Sequence, residues 1–221
     1  MEATLAEVEW AKAVQEQRAW ANDGIARLAA LLQAGHSNQL ADRLISELVR
    51  YVGANQGGLY EVKTVDDQAR ISLSACYAYG RKKFNEQELG PGEGLLGQVY
   101  LEKEKMVFTR VPQGYLSITS GLGEASPSSL VIIPMIANGQ VEGLLELASF
   151  HLFQDHHIEF LEKAAENLAG WLATDRANAR TRQLLEQTKL QAEALRAQEE
   201  EMRQNLEELM TTQEEWQRKQ R

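Results

Sequence analysis

One stretch of this chain limits its possible folds more than any other: after Gly170, no glycine or proline occurs through Arg221. Within it, Trp171, Asn178, Leu185, Ala192, Glu199, Leu206 and Gln213 fall seven apart. Three residues on, Thr174, Thr181, Thr188, Leu195, Met202, Leu209 and Trp216 do the same. These two rows are the a and d positions of a single heptad register, so the spacing predicts a helix whose seam faces another helix. Up to Thr188 the seam is mostly Asn and Thr, whereas Leu195, Met202, Leu209 and Trp216 are apolar. A weak segment followed by a firmer grip suits a relay that rotates or splays, while the plainer alternative is a dimerisation stalk with polar positions setting register.

A helix of that kind has no core of its own, so the globular part lies upstream. Asp155 is placed to cap the start of the same helix, and Ile158, Leu161, Ala165, Leu168 and Leu172 form its first stripe. That stripe and the seam are about 100° apart around the axis, one suited to a sheet and the other to a partner. Hydrophobic residues are 43% of the 221, concentrated between Leu40 and Leu172, with the two ends rich in Ala, Glu, Gln, Arg and Leu. From Leu5 to Leu32, Trp10, Val14, Gln17, Ala21, Gly24, Leu28 and Leu31 recur at alternating steps of four and three, predicting a second coiled-coil arm with a weak middle. Gly35-His36-Ser37-Asn38 breaks it, with Ser37 or Asn38 in place to cap a helix whose broad apolar face runs from Leu40 to Val52. The expected domains are an N-terminal helix over 1–35, a globular domain over 36–173 and a C-terminal coiled-coil helix over 174–221.

Between the helices the period changes to two. Gly58 to Val65 and Arg70 to Tyr79 read as a hairpin around Asp66-Asp67, with Ile71, Leu73, Ala75, Tyr77 and Tyr79 on one face. Gly90-Pro91-Gly92-Glu93-Gly94 leads into a short helix, Met106 to Val111 is a strand, and Gln113 to Ser129 a long loop. Leu130 to Ala137 and Val141 to Ala148 read as central strands joined by Asn138-Gly139, whose positive φ angles favour a type I′ turn. Pro134 predicts a bulge or an unpaired position in the first of them.

In this order and punctuation the sequence resembles the GAF domain family. The resemblance covers about Leu40 to Leu172 and rests on several segments together. They are Gly90-Pro-Gly-Glu-Gly94 with Leu95-Leu-Gly-Gln-Val99, the strand Val107-Phe-Thr109, Ser129-Leu-Val-Ile-Ile-Pro134-Met, Gly139-Gln-Val-Glu-Gly143-Leu-Leu-Glu-Leu, and Phe153-Gln-Asp155 opening a helix. The resemblance implies an α+β fold: a six-stranded antiparallel sheet with helices packed on it, and a ligand cavity on the opposite face. The flanking helices resemble those that couple such domains to PAS, HAMP or histidine-kinase domains in bacterial sensors.

Several chemistries are disfavoured. The net charge of −9 argues against a nucleic-acid surface, and Arg81-Lys82-Lys83 reads as a loop tip. Cys76 is the only cysteine, too few for the thiol exchange of the family's sulfoxide reductases, and it reads as a small core residue. The signature of the cyclic-nucleotide-binding members does not occur. His151, Asp155, His156 and His157 do not converge as zinc ligands would, and the glycine-rich segment lacks the Lys and Ser/Thr of a P-loop. No metal, cofactor, catalytic residue or membrane segment is expected, and the protein is expected in the cytoplasm. The expected function is that of a sensory, signal-transducing module. A small ligand would lie against Phe108, Tyr115, Thr119, Ser120 and Ser129. A parallel homodimer would form through Trp10, Val14, Leu28, Trp171, Leu185, Leu195, Met202, Leu206, Leu209 and Trp216. The alternative is a structural dimerisation connector with no ligand.

Overall fold

Period-two patterning and two turns with positive φ dictate the sheet, and the helices close over it. The computed structural model describes residues 2–34, 39–78, 88–112, 114–120 and 123–219. Two helices come first, α1 (Glu2–Gln33) and α2 (Leu40–Tyr51). Then follow strands β1 (Gln56–Val65) and β2 (Gln68–Ala78), helix α3 (Gly94–Glu102) and strand β3 (Met106–Phe108). Strands β4 (Ile118–Ser120), β5 (Gly123–Ala125), β6 (Ser129–Ala137) and β7 (Gln140–Ser149) precede the final helix, α4 (Asp155–Lys219). The expected break at Gly35 to Asn38 and the basic tip at Arg81 to Lys83 lie outside the described residues. The residue at the N-cap of α2 is Gln39, not Ser37 or Asn38.

The main sheet has the order β2-β1-β7-β6-β3, all neighbours antiparallel. Of the six strands expected, the main sheet shows five among the described residues. β4 and β5 pair only with each other, inside the segment read as a loop. Three residues each, they are too short for alternation to register in sequence. Asn138 and Gly139 have φ of 51° and 76°, the signs a type I′ turn needs, and they join β6 to β7. Asp66 and Asp67 have φ of 50° and 60° between β1 and β2. Pro134 sits where β3 has already ended at Ile132, and the register with β7 slips just beyond it, between Met135 and Ile136. A residue without an N–H is tolerated there because one neighbour is missing.

Two cores lie on the two faces of the sheet. One holds Leu44, Ile45 and Leu48 of α2, Leu161, Ala165 and Leu168 of α4, and Val131, Ile133, Leu145 and Leu147 of the central strands. The other holds Leu96 and Val99 of α3 with Leu130, Ile132, Leu144 and Ala148. A bulge in the first hairpin corrects the expected single face of β2. Leu59 pairs with Ala75 but Tyr60 pairs with Leu73, leaving Ser74 as the extra residue. Ala75 therefore points into the helix-covered core and Ile71 into the other.

The second half of α1 belongs to the domain, which corrects the reading of Leu28 as a residue facing a partner. Leu28 is 1% exposed, in the helix-covered core of its own chain. Trp20 stacks on Tyr51 at a centroid distance of 4.9 Å, and the Tyr51 hydroxyl donates to the Trp20 carbonyl. The Arg27 guanidinium reaches Asp23 at 2.8 Å and lies 5.3 Å from the centre of the Tyr51 ring. Trp20 also meets His156 and His157 edge-on, at 5.2 and 5.4 Å. The histidine pair at the start of α4 is thus part of the α1 dock. His157 Nδ1 accepts from the Gln154 amide, and burial with His156 beside it holds the ring below the usual imidazole range. Toward the N-terminus of α1, Trp10 is exposed and Val14 half-buried.

The chain divides into two units, Met1–Ala173 and Thr174–Arg221. In the second, Leu185, Leu195, Met202, Leu206, Leu209 and Trp216 are all exposed. No helix among the described residues is long and apolar enough to cross a membrane.

Candidate functional site

The most unusual group in the domain is a carboxylate in an apolar strand. Glu146 of β7 lies between Leu144 and Ala148, both buried, and is itself 7% exposed. Its cross-strand neighbours are Gly58 on β1 and Ile132 on β6. Burying a carboxylate costs several kcal/mol unless donors meet it, and here two do. The Tyr60 hydroxyl donates to Oε2 at 2.9 Å and the Tyr115 hydroxyl to Oε1 at 2.8 Å.

The backbone explains how both tyrosines arrive. Tyr60 lies two residues from Gly58 on the same face, and a Cβ at Gly58 would stand 2.8 Å from the Tyr60 ring. The missing side chain is what lets that ring lie across toward β7. Tyr115 follows a turn at Gly114 (φ 78°), closed by its own amide donating to the Pro112 carbonyl at 3.2 Å. The turn drops it onto the sheet, where Leu116, Phe108 and Val111 pack against the same core. Cys76 completes the neighbourhood, paired with Gly58 from the other side and half-buried.

Charge and burial oppose each other in this cluster. Burial pushes the Glu146 carboxyl above its usual range, and the two tyrosine hydroxyls pull it back by bonding the ionised form. Both tyrosines are pushed up, first by burial and then by the carboxylate. They therefore stay protonated and remain donors. A carboxylate so held accepts hydrogen bonds and attracts a cation.

The glycine-rich segment positions α3 over this face. A Cβ at Gly97 would lie 2.6 Å from the Gly90 carbonyl oxygen, so only glycine lets the loop cross the helix there. The Glu93 carboxylate accepts from the Gly90 amide at 2.7 Å, and the Gly92 amide donates to the Gly97 carbonyl at 2.9 Å.

Among the expected ligand residues, Tyr115 and Phe108 come together on this face. Ser129 does not: it is 2% exposed and its hydroxyl donates to the His151 carbonyl, so it fixes the end of the sheet. The side chains of Thr119 and Ser120 lie outside the described residues. Sequence reasoning missed Glu146 and Tyr60. The available signal was a carboxylate within the otherwise apolar run from Gly143 to Ala148. Trp171, expected in the seam, is half-buried against the domain's own helix-covered core.

The family model for the GAF domain matches residues 34–173. No curated protein matches the chain at a significant level. Among solved structures, the GAF domain of a phosphoenolpyruvate-protein phosphotransferase from Coxiella burnetii is 22% identical. It superposes with a TM-score of 0.60, over 72% of this chain and 96% of that one. The free methionine-R-sulfoxide reductase of Neisseria meningitidis, solved with its substrate, is 16% identical with a TM-score of 0.56, over 72% and 91% of the two chains. The nlh2 GAF domain of A. aeolicus, solved in an inactive state, is 14% identical with a TM-score of 0.55, over 72% and 99%. At these identities the structures establish a shared fold, and the family model covers well over half of the sequence. The five-stranded antiparallel sheet with helices on one face and α3 and its loops on the other is thus a GAF domain, and the chain belongs to that family.

Proposed function

We propose that this protein is a sensory, signal-transducing module of the cytoplasm that works as a parallel homodimer and is not an enzyme. The observation that carries the reading is the double use of α4. Its first stripe, with Leu161 and Leu168, builds the domain core. Its later register leaves Leu195, Met202, Leu206, Leu209 and Trp216 exposed. Exposed apolar residues in a heptad register are most economically covered by a second copy.

The sensing part is proposed for the face that carries Glu146. A small molecule with a donor or a positive charge would compete with Tyr115 for the carboxylate. Tyr115 stands on the loop after β3, so losing its hydrogen bond frees that loop. A ligand shifts such an equilibrium only by its differential affinity for the two loop states. In the polar seam up to Thr188, few apolar contacts resist a change of helix packing.

A second reading, a structural dimeric connector, draws on Tyr115 and Leu116 already packing onto the core beneath α3. Two measurements separate the cases. Sedimentation at tens of micromolar should give a dimer for the wild type and a monomer for the Leu195→Asp, Leu209→Asp double variant, because unpaired charge in a seam is strongly unfavourable. A monomeric wild type refutes the dimer. Native mass spectrometry of freshly purified protein should show a retained small molecule, lost in Glu146→Ala; an unliganded dimer favours the connector.

A further inference from the structure

The helix-covered face contains a cavity of about 200 Å³, unrelated to the Glu146 cluster. Leu40 and Leu44 of α2, Leu59 of β1, and Leu168 and Leu172 of α4 give it apolar walls. Its polar end is Glu61 of β1 with Ser74, the bulge residue of β2. The bulge matters here, because the extra residue turns Ser74 to the side of Ala75 and Glu61. The Ser74 hydroxyl donates to Glu61 Oε1 at 2.8 Å. Among the described residues, Oε2 faces the Lys63 ammonium at 3.9 Å, beyond hydrogen-bond range. The Glu61 side chain is 25% exposed, placing the carboxylate at the mouth of the cavity. Trp171 forms another part of the wall.

We propose that this cavity is a second binding site, for a small ring-bearing amine, with the ring among the leucines and the ammonium on Glu61. Volume sets the size of the guest. A dry apolar cavity of about 150 Å³ accommodates benzene, so the space here admits one ring and one or two further heavy atoms. Charge sets its chemistry, since a carboxylate at the mouth of an apolar cavity, its second oxygen held only by an exposed Lys63 ammonium at 3.9 Å, selects a cationic donor over an anion. Ala41 lies on its α2 wall, where a small side chain leaves the space open. The guest would touch Trp171, at the start of the heptad rows.

Benzylamine and its neutral isostere benzyl alcohol are the probes, titrated into the full chain with carbon-13-labelled leucine methyls. Benzylamine should shift the methyls of Leu40, Leu44, Leu59, Leu168 and Leu172 saturably, with a Kd on the order of 1 mM or tighter, the range for a ligand of so few atoms. Benzyl alcohol should bind about tenfold more weakly, and Glu61→Gln should bring the two together by weakening benzylamine alone. Ala41→Phe should abolish both, and if that variant does not fold, the wild-type methyl map still decides. Three results overturn the proposal: no saturable shift at the solubility limit, shifts centred on other leucines, or equal affinity for the two probes in the wild type. Concentration-dependent shifts of the same methyls without any probe would also overturn it, by assigning the cavity to a side chain of a second copy.

Discussion

Replacing Gly24 by alanine tests whether α1 docks on its own domain or serves a partner, because the two arrangements predict opposite signs. In an exposed helix or a loosely packed seam, Gly→Ala stabilises by about 1 kcal/mol, since glycine gives up more backbone freedom on folding. In this structure a Cβ at Gly24 would lie 2.5 and 2.8 Å from two carbons of the Phe160 ring, and closer still to the Tyr51 ring. Both rings are fixed. Phe160 is 1% exposed, and Tyr51 is stacked on Trp20 and bonded to its carbonyl. Overpacking of this kind costs about 1–3 kcal/mol. The net change is thus a destabilisation of up to about 2 kcal/mol after subtracting the helix gain. For a domain of this size each kcal/mol moves the melting temperature by about 2–4 °C. Thermal unfolding followed by circular dichroism should therefore show Gly24→Ala melting up to about 4–8 °C lower. Limited proteolysis should cut within α1 sooner than in the wild type. A raised melting temperature would refute the docked α1 and return Gly24 to a solvent or partner face.

Two further predictions concern the sheet. Gly139→Val should lower the melting temperature by several degrees: φ is 76° and nothing lies within 4 Å of the added Cβ, so the cost is backbone strain alone, about 1–3 kcal/mol. An unchanged melting temperature would mean that the turn is of another kind. The Glu146 carboxyl titrates above its ordinary value of 4.5 in the folded chain, chiefly through burial. The folded state thus holds its proton more tightly than the unfolded one. The resulting stability is fully present below the unfolded pKa and is lost as pH rises through the folded one. Glu146→Gln should remove this component from the stability-versus-pH curve, and an identical curve in the variant would refute the assignment.

Much of this molecule is set by patterns that need no partner to be read. The Asn138-Gly139 turn, the α2 face from Leu40 to Val52, the α4 stripe at Ile158 to Leu172 and the placement of loops over the other side of the sheet are local or periodic. Side-chain period and turn stereochemistry are properties of the chain itself. What tertiary structure decided is where periodicity is broken or shared. The bulge at Ser74 moves Ile71 and Ala75 to opposite faces, and only pairing with β1 creates that extra residue. Leu28 repeats at heptad spacing, yet it is buried by α1 lying against Tyr51 and Phe160, because a stripe of apolar residues states a need for burial without naming the surface that meets it. Glu146 looks like an exception within an apolar strand until Tyr60 and Tyr115, which lie 86 and 31 residues away, supply its two donors. Hydrogen bonds over such separations leave no mark at any sequence period, so the candidate site belongs to the fold and not to any single segment.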